Sequence, residues 1–169
     1  MKISTTVEDH RIAKLTAIAI GLHLIESIVP SPLPGVKPGI ANIITLYVLY
    51  RYGLGTAAWV SMLRIFAASL LLGQFLSPTF FLSLGGGVFS LGTLWLGYQL
   101  PRQWFGPISL SVLSAFAHIA GQLLIVWLWL IPHTGISYLI PVFASAALLF
   151  GIINGLIAAR LLQQPPSTT

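Results

Sequence analysis

Six apolar runs, each closed by proline, glycine or a basic residue, set the rhythm of this chain. The first extends from Ile12 to Val29 and follows a polar stretch that carries Lys2, Glu8, Asp9 and Arg11. The second, Ile40 to Tyr50, is short. The third runs from Leu54 to Leu76, the fourth from Phe80 to Leu100, the fifth from Ile108 to Ile131 and the sixth from Tyr138 to Leu162. A helix needs about 20 apolar residues to cross hydrocarbon, so the pattern predicts an all-α membrane protein, a bundle of six transmembrane helices. The expected organisation is a cytoplasmic tail over residues 1–11, a single six-helix transmembrane domain over 12–162 and a disordered cytoplasmic tail over 163–169. The second helix is expected to borrow from the preceding loop, or from Arg51 and Tyr52, to reach across.

Between the first two runs lies SIVPSPLPGVKPGIANIITL, residues 27–46. Each proline fixes its own φ and disfavours helix in the residue before it, while Gly35 and Gly39 permit turns closed to other residues. Such a loop is shaped and not slack, and it should bring Glu26, Lys37 and Asn42 together as the outer lid of a binding site.

Composition narrows the class. With 56% hydrophobic and 7% charged residues and a mean hydropathy of +0.93, the chain cannot present a water-soluble surface. Its basic residues stand singly at the ends of apolar runs and form no patch for nucleic acid. They read instead as topology signals: Lys2, Arg11, Lys14, Arg51, Arg102 and Arg160 fall on one side of six spans and Lys37 on the other, which predicts cytoplasmic termini. The chain has no cysteine, which removes disulfides, thiolate metal sites and a cysteine nucleophile. No small-residue cleavage pattern follows the first apolar run, so a retained span is expected there and not a signal peptide.

Two charged side chains interrupt the apolar runs, Glu26 and Arg64. Intramembrane charges are costly and usually face a partner or a wet cavity. They suit either a ligand site, with Arg64 or Lys37 on an anionic group and Glu26 on a polar or cationic one, or a structural ion pair. On the fifth run Ser114, His118 and Gln122 recur every four residues and so share a helix face. That stripe lines the same cavity or forms interhelical hydrogen bonds. His23 and Glu26 also share a face, but two such ligands make no metal site without further carboxylates or thiolates. The expected substrate-binding set is Glu26, Lys37, Asn42, Arg64, His118 and Gln122, with no catalytic residue, no metal and no cofactor.

Small residues make two further stripes: Ala13, Ala17 and Gly21 on the first run, and Ala147, Gly151, Gly155 and Ala159 on the sixth. Small residues at every fourth position let helix backbones approach closely. They serve packing within the bundle or docking of another membrane protein, and the first stripe is the docking candidate. No Gly-rich lysine loop for ATP is present, so transport would need a partner for energy. The single Asp lies in the N-terminal stretch, and no acidic cluster exists to hold the magnesium ions of a diphosphate. These features describe a binder, not an enzyme acting alone.

The segments ESIVPSPLPGVKPGIANIITLYVLYRYG, LRIFAASLLLGQFLSPTFFLSLGGG and AFAHIAGQLLIVWLW together resemble the bacterial family named heptaprenyl diphosphate synthase component I, also called the Gx transporter family. The resemblance implies a multi-pass protein of the bacterial cytoplasmic membrane, with a six-helix fold related to the substrate-binding S components of energy-coupling-factor transporters. It implies a lid role for Pro34, Gly35, Lys37 and Asn42, and contact of Ala13 and Ala17 with a transmembrane coupling subunit driven by ATPases. Three readings follow: a solute-binding subunit of an energy-coupled importer, an accessory subunit of polyprenyl diphosphate or quinone synthesis, and a structural subunit of a membrane complex.

Overall fold

The computed structural model describes residues 6–28, 38–101, 105–130 and 134–164. Within them the chain is helical, and no strand occurs. The elements are α1 (Val7–Ile28), α2 (Ala41–Tyr52), α3 (Leu54–Leu71), α4 (Pro78–Tyr98), α5 (Pro107–Ile125) and α6 (Ile140–Gln163). A π-helical turn, Val126–Leu130, continues α5, and a 3-10 turn, Thr134–Leu139, leads into α6. Pro30, Pro32, Pro34, Gly35 and Lys37 lie outside the described residues.

Among the described residues, four stretches are long and apolar enough to cross a membrane: Leu54–Leu71, Pro78–Tyr98, Pro107–Leu130 and Ser137–Gln163. The first two helices differ from them for separate reasons. Helix α1 has the length, at 22 residues, but Arg11, Lys14 and Glu26 dilute its apolar character. Helix α2 is apolar but has only 12 residues, about 18 Å at 1.5 Å per residue against about 30 Å of hydrocarbon.

Local chemistry sets the ends. At the start of α1, Thr6 and Asp9 form a reciprocal cap: the Asp9 N–H donates to Thr6 Oγ1 (3.2 Å) and the Thr6 N–H to Asp9 Oδ2 (2.8 Å). Two orphan donors of the first turn are thereby satisfied, and the bonds from Thr6, its backbone first, hold the Asp9 carboxyl below its ordinary value. Helix α1 consequently begins at Val7, inside the stretch expected to be a tail. Helices α2 and α3 turn on Gly53 alone, whose φ of 90° a residue with a Cβ rarely adopts. Ser77 caps α4, accepting from the Phe80 N–H at 3.4 Å, with Pro78 at the first helical position, where its missing N–H costs nothing.

The bundle is divided along its length. At the end where α1 begins and α6 finishes, Leu46, Val48 and Leu49 of α2, Val60 of α3, Leu94 of α4 and Leu110 of α5 are each at most 1% exposed and form an apolar plug. Helix α2 contributes most to it because α1, α3 and α6 all pack on it, which explains why it is buried along most of its length. Arg11, Lys14, Arg51 and Arg160 sit at this same end, at the start of α1 and the ends of α2 and α6. Arg11 lies over the Tyr52 ring at 4.7 Å. The outer faces of α3 to α6 expose Trp59, Phe66, Val88, Trp95, Phe116, Leu149 and Ile153, side chains that only lipid or another apolar surface would cover.

The two stripes of small residues part company here. On α6, a Cβ at Gly155 would lie 2.7 Å from Ile108 Cα, and one at Gly151 2.9 Å from Val112 Cα, so this stripe is the contact between α6 and α5. On α1, Ala13 and Ala17 are exposed, and a Cβ at Gly21 would meet nothing within 4 Å.

Candidate functional site

Opposite the plug, at the end remote from the start of α1 and the finish of α6, the helices enclose a cavity of about 470 Å³. All six contribute: His23 and Glu26 of α1, Asn42 of α2, Arg64 of α3, Phe80 of α4, His118 and Gln122 of α5, and Asn154 of α6. The structure therefore brings Glu26, Asn42, Arg64, His118 and Gln122 to one cavity. Ser114, on the same face of α5 as His118, is buried outside its lining, and its Oγ donates to Ser111 O at 3.3 Å.

The polar groups are organised around the start of α2. Glu26 is 4% exposed and its Oε1 accepts from the Gly39 N–H. Gly39 adopts φ 69°, which lets the chain turn sharply from Pro38 into the helix. The Asn42 N–H closes that turn on Gly39 O at 2.8 Å, and the Asn42 side chain accepts from Arg64 Nη2 at 3.2 Å. Arg64 is 5% exposed, and its Nε has no hydrogen-bond partner. The Glu26 carboxylate acts electrostatically on the guanidinium, so each charge offsets the cost of placing the other away from water.

A further polar residue completes this arrangement. Asn154, 6% exposed, donates from Nδ2 to Pro38 O at 2.9 Å and to Gly39 O at 3.3 Å. Glu26 on α1 and Asn154 on α6 thus hold the same two residues of the connection into α2 from opposite sides. Asn154 escaped the sequence reading, although an isolated amide in the most apolar run was a signal of its own, since a polar side chain at that depth usually has a partner.

Across the cavity, the Gln122 amide and His118 Nε2 are 3.2 Å apart. The imidazole rests on a helix without side chains: a Cβ at Gly86 would lie 2.7 Å from His118 Nε2. This is why α4 carries glycine there. Gly86→Ala should drive the ring into the cavity and destabilise the protein by about 1–3 kcal/mol through overpacking. Gly92→Ala, into open space, should be neutral or gain up to about 1 kcal/mol from helix propensity. Thermal unfolding of the two purified variants checks both. Equal effects would remove the steric role of Gly86.

The site thus offers one cation, one anion, several amides and two histidines in a pocket whose other walls include Phe80, Phe143 and Phe150. Among the described residues, no three His or acidic side chains gather as a metal cage would require. A family model described as heptaprenyl diphosphate synthase component I matches residues 15–161. The chain belongs to that family. No curated protein and no solved structure matches it. The description "component I" implies a further subunit, and it names a part of a synthase without assigning catalysis to that part. The family match contains every cavity residue named here, together with Ala17 and Gly21 of the exposed stripe.

Proposed function

We propose that this component I family member is the solute-binding subunit of an energy-coupled importer, similar in role to the S components of energy-coupling-factor transporters. The observation that carries the reading is the cavity: a pocket of small-molecule size (about 300–1,000 Å³ is usual), with a buried Arg–Glu pair, closed by an apolar plug on the side where α1 begins and α6 finishes. In this reading the protein crosses the bacterial cytoplasmic membrane six times. Helix α1 spans by letting Glu26 face the cavity, and α2 spans with the help of the connection before it. Both termini are cytoplasmic, which puts the described basic residues other than Arg64 on the side that positive charge favours. A cysteine in place of Leu76 should then react with an impermeant thiol reagent in intact cells, and one in place of Gln163 should not. The opposite pattern sinks the orientation.

Energy has to come from elsewhere, because the sequence has no nucleotide-binding loop. The α1 stripe of Ala13, Ala17 and Gly21 is the proposed docking face for a transmembrane coupling subunit, itself driven by ATPases. Support comes from the exposure of Ala13 and Ala17 and the open space at Gly21. Ala17→Leu should leave the isolated protein folded and able to keep its solute, while abolishing co-purification with the partner and uptake. If the complex forms as before, docking lies elsewhere.

The family description favours a second reading, a membrane accessory of polyprenyl diphosphate synthesis. The chain contains three acidic residues in all: Glu8 and Asp9 open α1, and Glu26 alone lies in the cavity. Magnesium-bound diphosphate calls for several oxygen ligands, so in this reading the chemistry belongs to the other component. Prenyl chain elongation that appears only when the protein is mixed with a soluble synthase would favour it.

A further inference from the structure

Two cavity-lining side chains hold a buried nitrogen without a hydrogen-bond partner, Arg64 at Nε and His118 at Nδ1. A guanidinium presents five N–H donors, and Arg64 commits Nη2 to Asn42 and leaves Nε without a partner. The Glu26 carboxylate is engaged by the Gly39 N–H, which ties it to the connection into α2. The Asn154 Nδ2 donors are spent on Pro38 O and Gly39 O. A ligand is therefore asked for acceptors at Arg64, and an acceptor of matching planar, bidentate geometry is a carboxylate.

Charge and volume limit the rest of the molecule. Among the described lining residues Arg64 is the one Lys or Arg, and Glu26 offsets it. One negative charge on the ligand leaves the site with a single net charge, whereas a diphosphate would bring several into a low-dielectric pocket with one guanidinium to meet them. The volume of about 470 Å³ suits a compact body, and Phe80, Phe143 and Phe150 supply flat apolar walls for it. We infer that the cavity selects a compact organic monoanion, a carboxylate seated on Arg64 with an apolar or aromatic body among the three phenylalanines. This deepens the solute-binding reading and rests on it.

The test uses full-length protein in lipid nanodiscs and a matched set of probes: 3-phenylpropionate and related aryl and alkyl monocarboxylates, the amide of each, and farnesyl diphosphate. Thermal unfolding followed by tryptophan fluorescence reads binding. The expected result is that carboxylates of this series raise the unfolding midpoint while their amides and farnesyl diphosphate do not. Arg64→Lys, which keeps the charge but not the fork, should weaken carboxylate binding about tenfold, the value of roughly one charge-assisted hydrogen bond. Phe143→Ala, which leaves Arg64 untouched, should shift preference toward larger carboxylates. Stabilisation by farnesyl diphosphate or by the amides, or none by any carboxylate, overturns the assignment. In those cases a partner complex that still forms and is lost in Ala17→Leu leaves the importer reading standing, so the two failures are distinguishable.

Discussion

Arg64→Met is expected to abolish solute retention and to lower stability by about 3–5 kcal/mol, because it removes the buried guanidinium that offsets the Glu26 carboxylate in the membrane interior. The guanidinium is 5% exposed, and its one hydrogen bond joins α3 to Asn42 at the start of α2. Helix α2 is the centre of the apolar plug, so the loss should spread beyond the cavity. Adding Glu26→Gln to Arg64→Met removes that carboxylate charge while keeping an acceptor for the Gly39 N–H. The double variant should recover most of the stability and none of the binding. Denaturant unfolding of the purified proteins gives the first quantity, and native mass spectrometry of retained small molecules the second. Full retention by Arg64→Met would show that the guanidinium is structural alone.

Gly155→Leu should be the most damaging single substitution on α6. A Cβ there would already lie 2.7 Å from Ile108 Cα and 2.9 Å from Ser111 Cβ. Backbone cannot swing aside as a side chain can, so even a methyl group would force α5 and α6 apart, at about 1–3 kcal/mol or more. A leucine multiplies the insult. Because α5 carries His118 and Gln122 and α6 carries Phe143, Phe150 and Asn154, prising these two helices apart should open the cavity as well. The monodisperse folded fraction on size exclusion is expected to fall sharply for Gly155→Leu and to stay unchanged for Ala17→Leu. Similar behaviour of the two variants would erase the distinction drawn between the stripes.

That distinction marks where sequence reading reaches its physical limit. The apolar runs, the proline and glycine punctuation and the short second helix were legible because helix length and backbone dihedrals are local properties. Glu26, Asn42, Arg64, His118 and Gln122 could be grouped because a polar side chain is conspicuous against an apolar background. Small residues carry no such contrast. Lipid and a neighbouring helix are equally apolar, so the alanine–glycine stripes of α1 and α6 look alike in sequence while one faces outward and the other meets α5. The π-helical turn Val126–Leu130 was hidden for a related reason: VWLWL is apolar at every position, so it reads as continuous helix and holds no polar residue whose shift in phase would mark the widened turn. Asn154 was visible in the sequence, and its bonds to the Pro38 and Gly39 carbonyls required the fold, since those partners are more than a hundred residues away along the chain.

The plug beneath the cavity makes the molecule a cup and not a pipe. Leu46, Val48 and Leu49 of α2 are at most 1% exposed, so no water-filled thread runs from the cavity past them. A vessel of this kind fills and empties through the same mouth for as long as its floor is intact. In the importer reading proposed above, net delivery to the far side must break the packing of its shortest helix or carry the whole vessel to a new position. In that reading the energy of the cycle goes into moving protein, and an idle copy left alone in the membrane poses no leak.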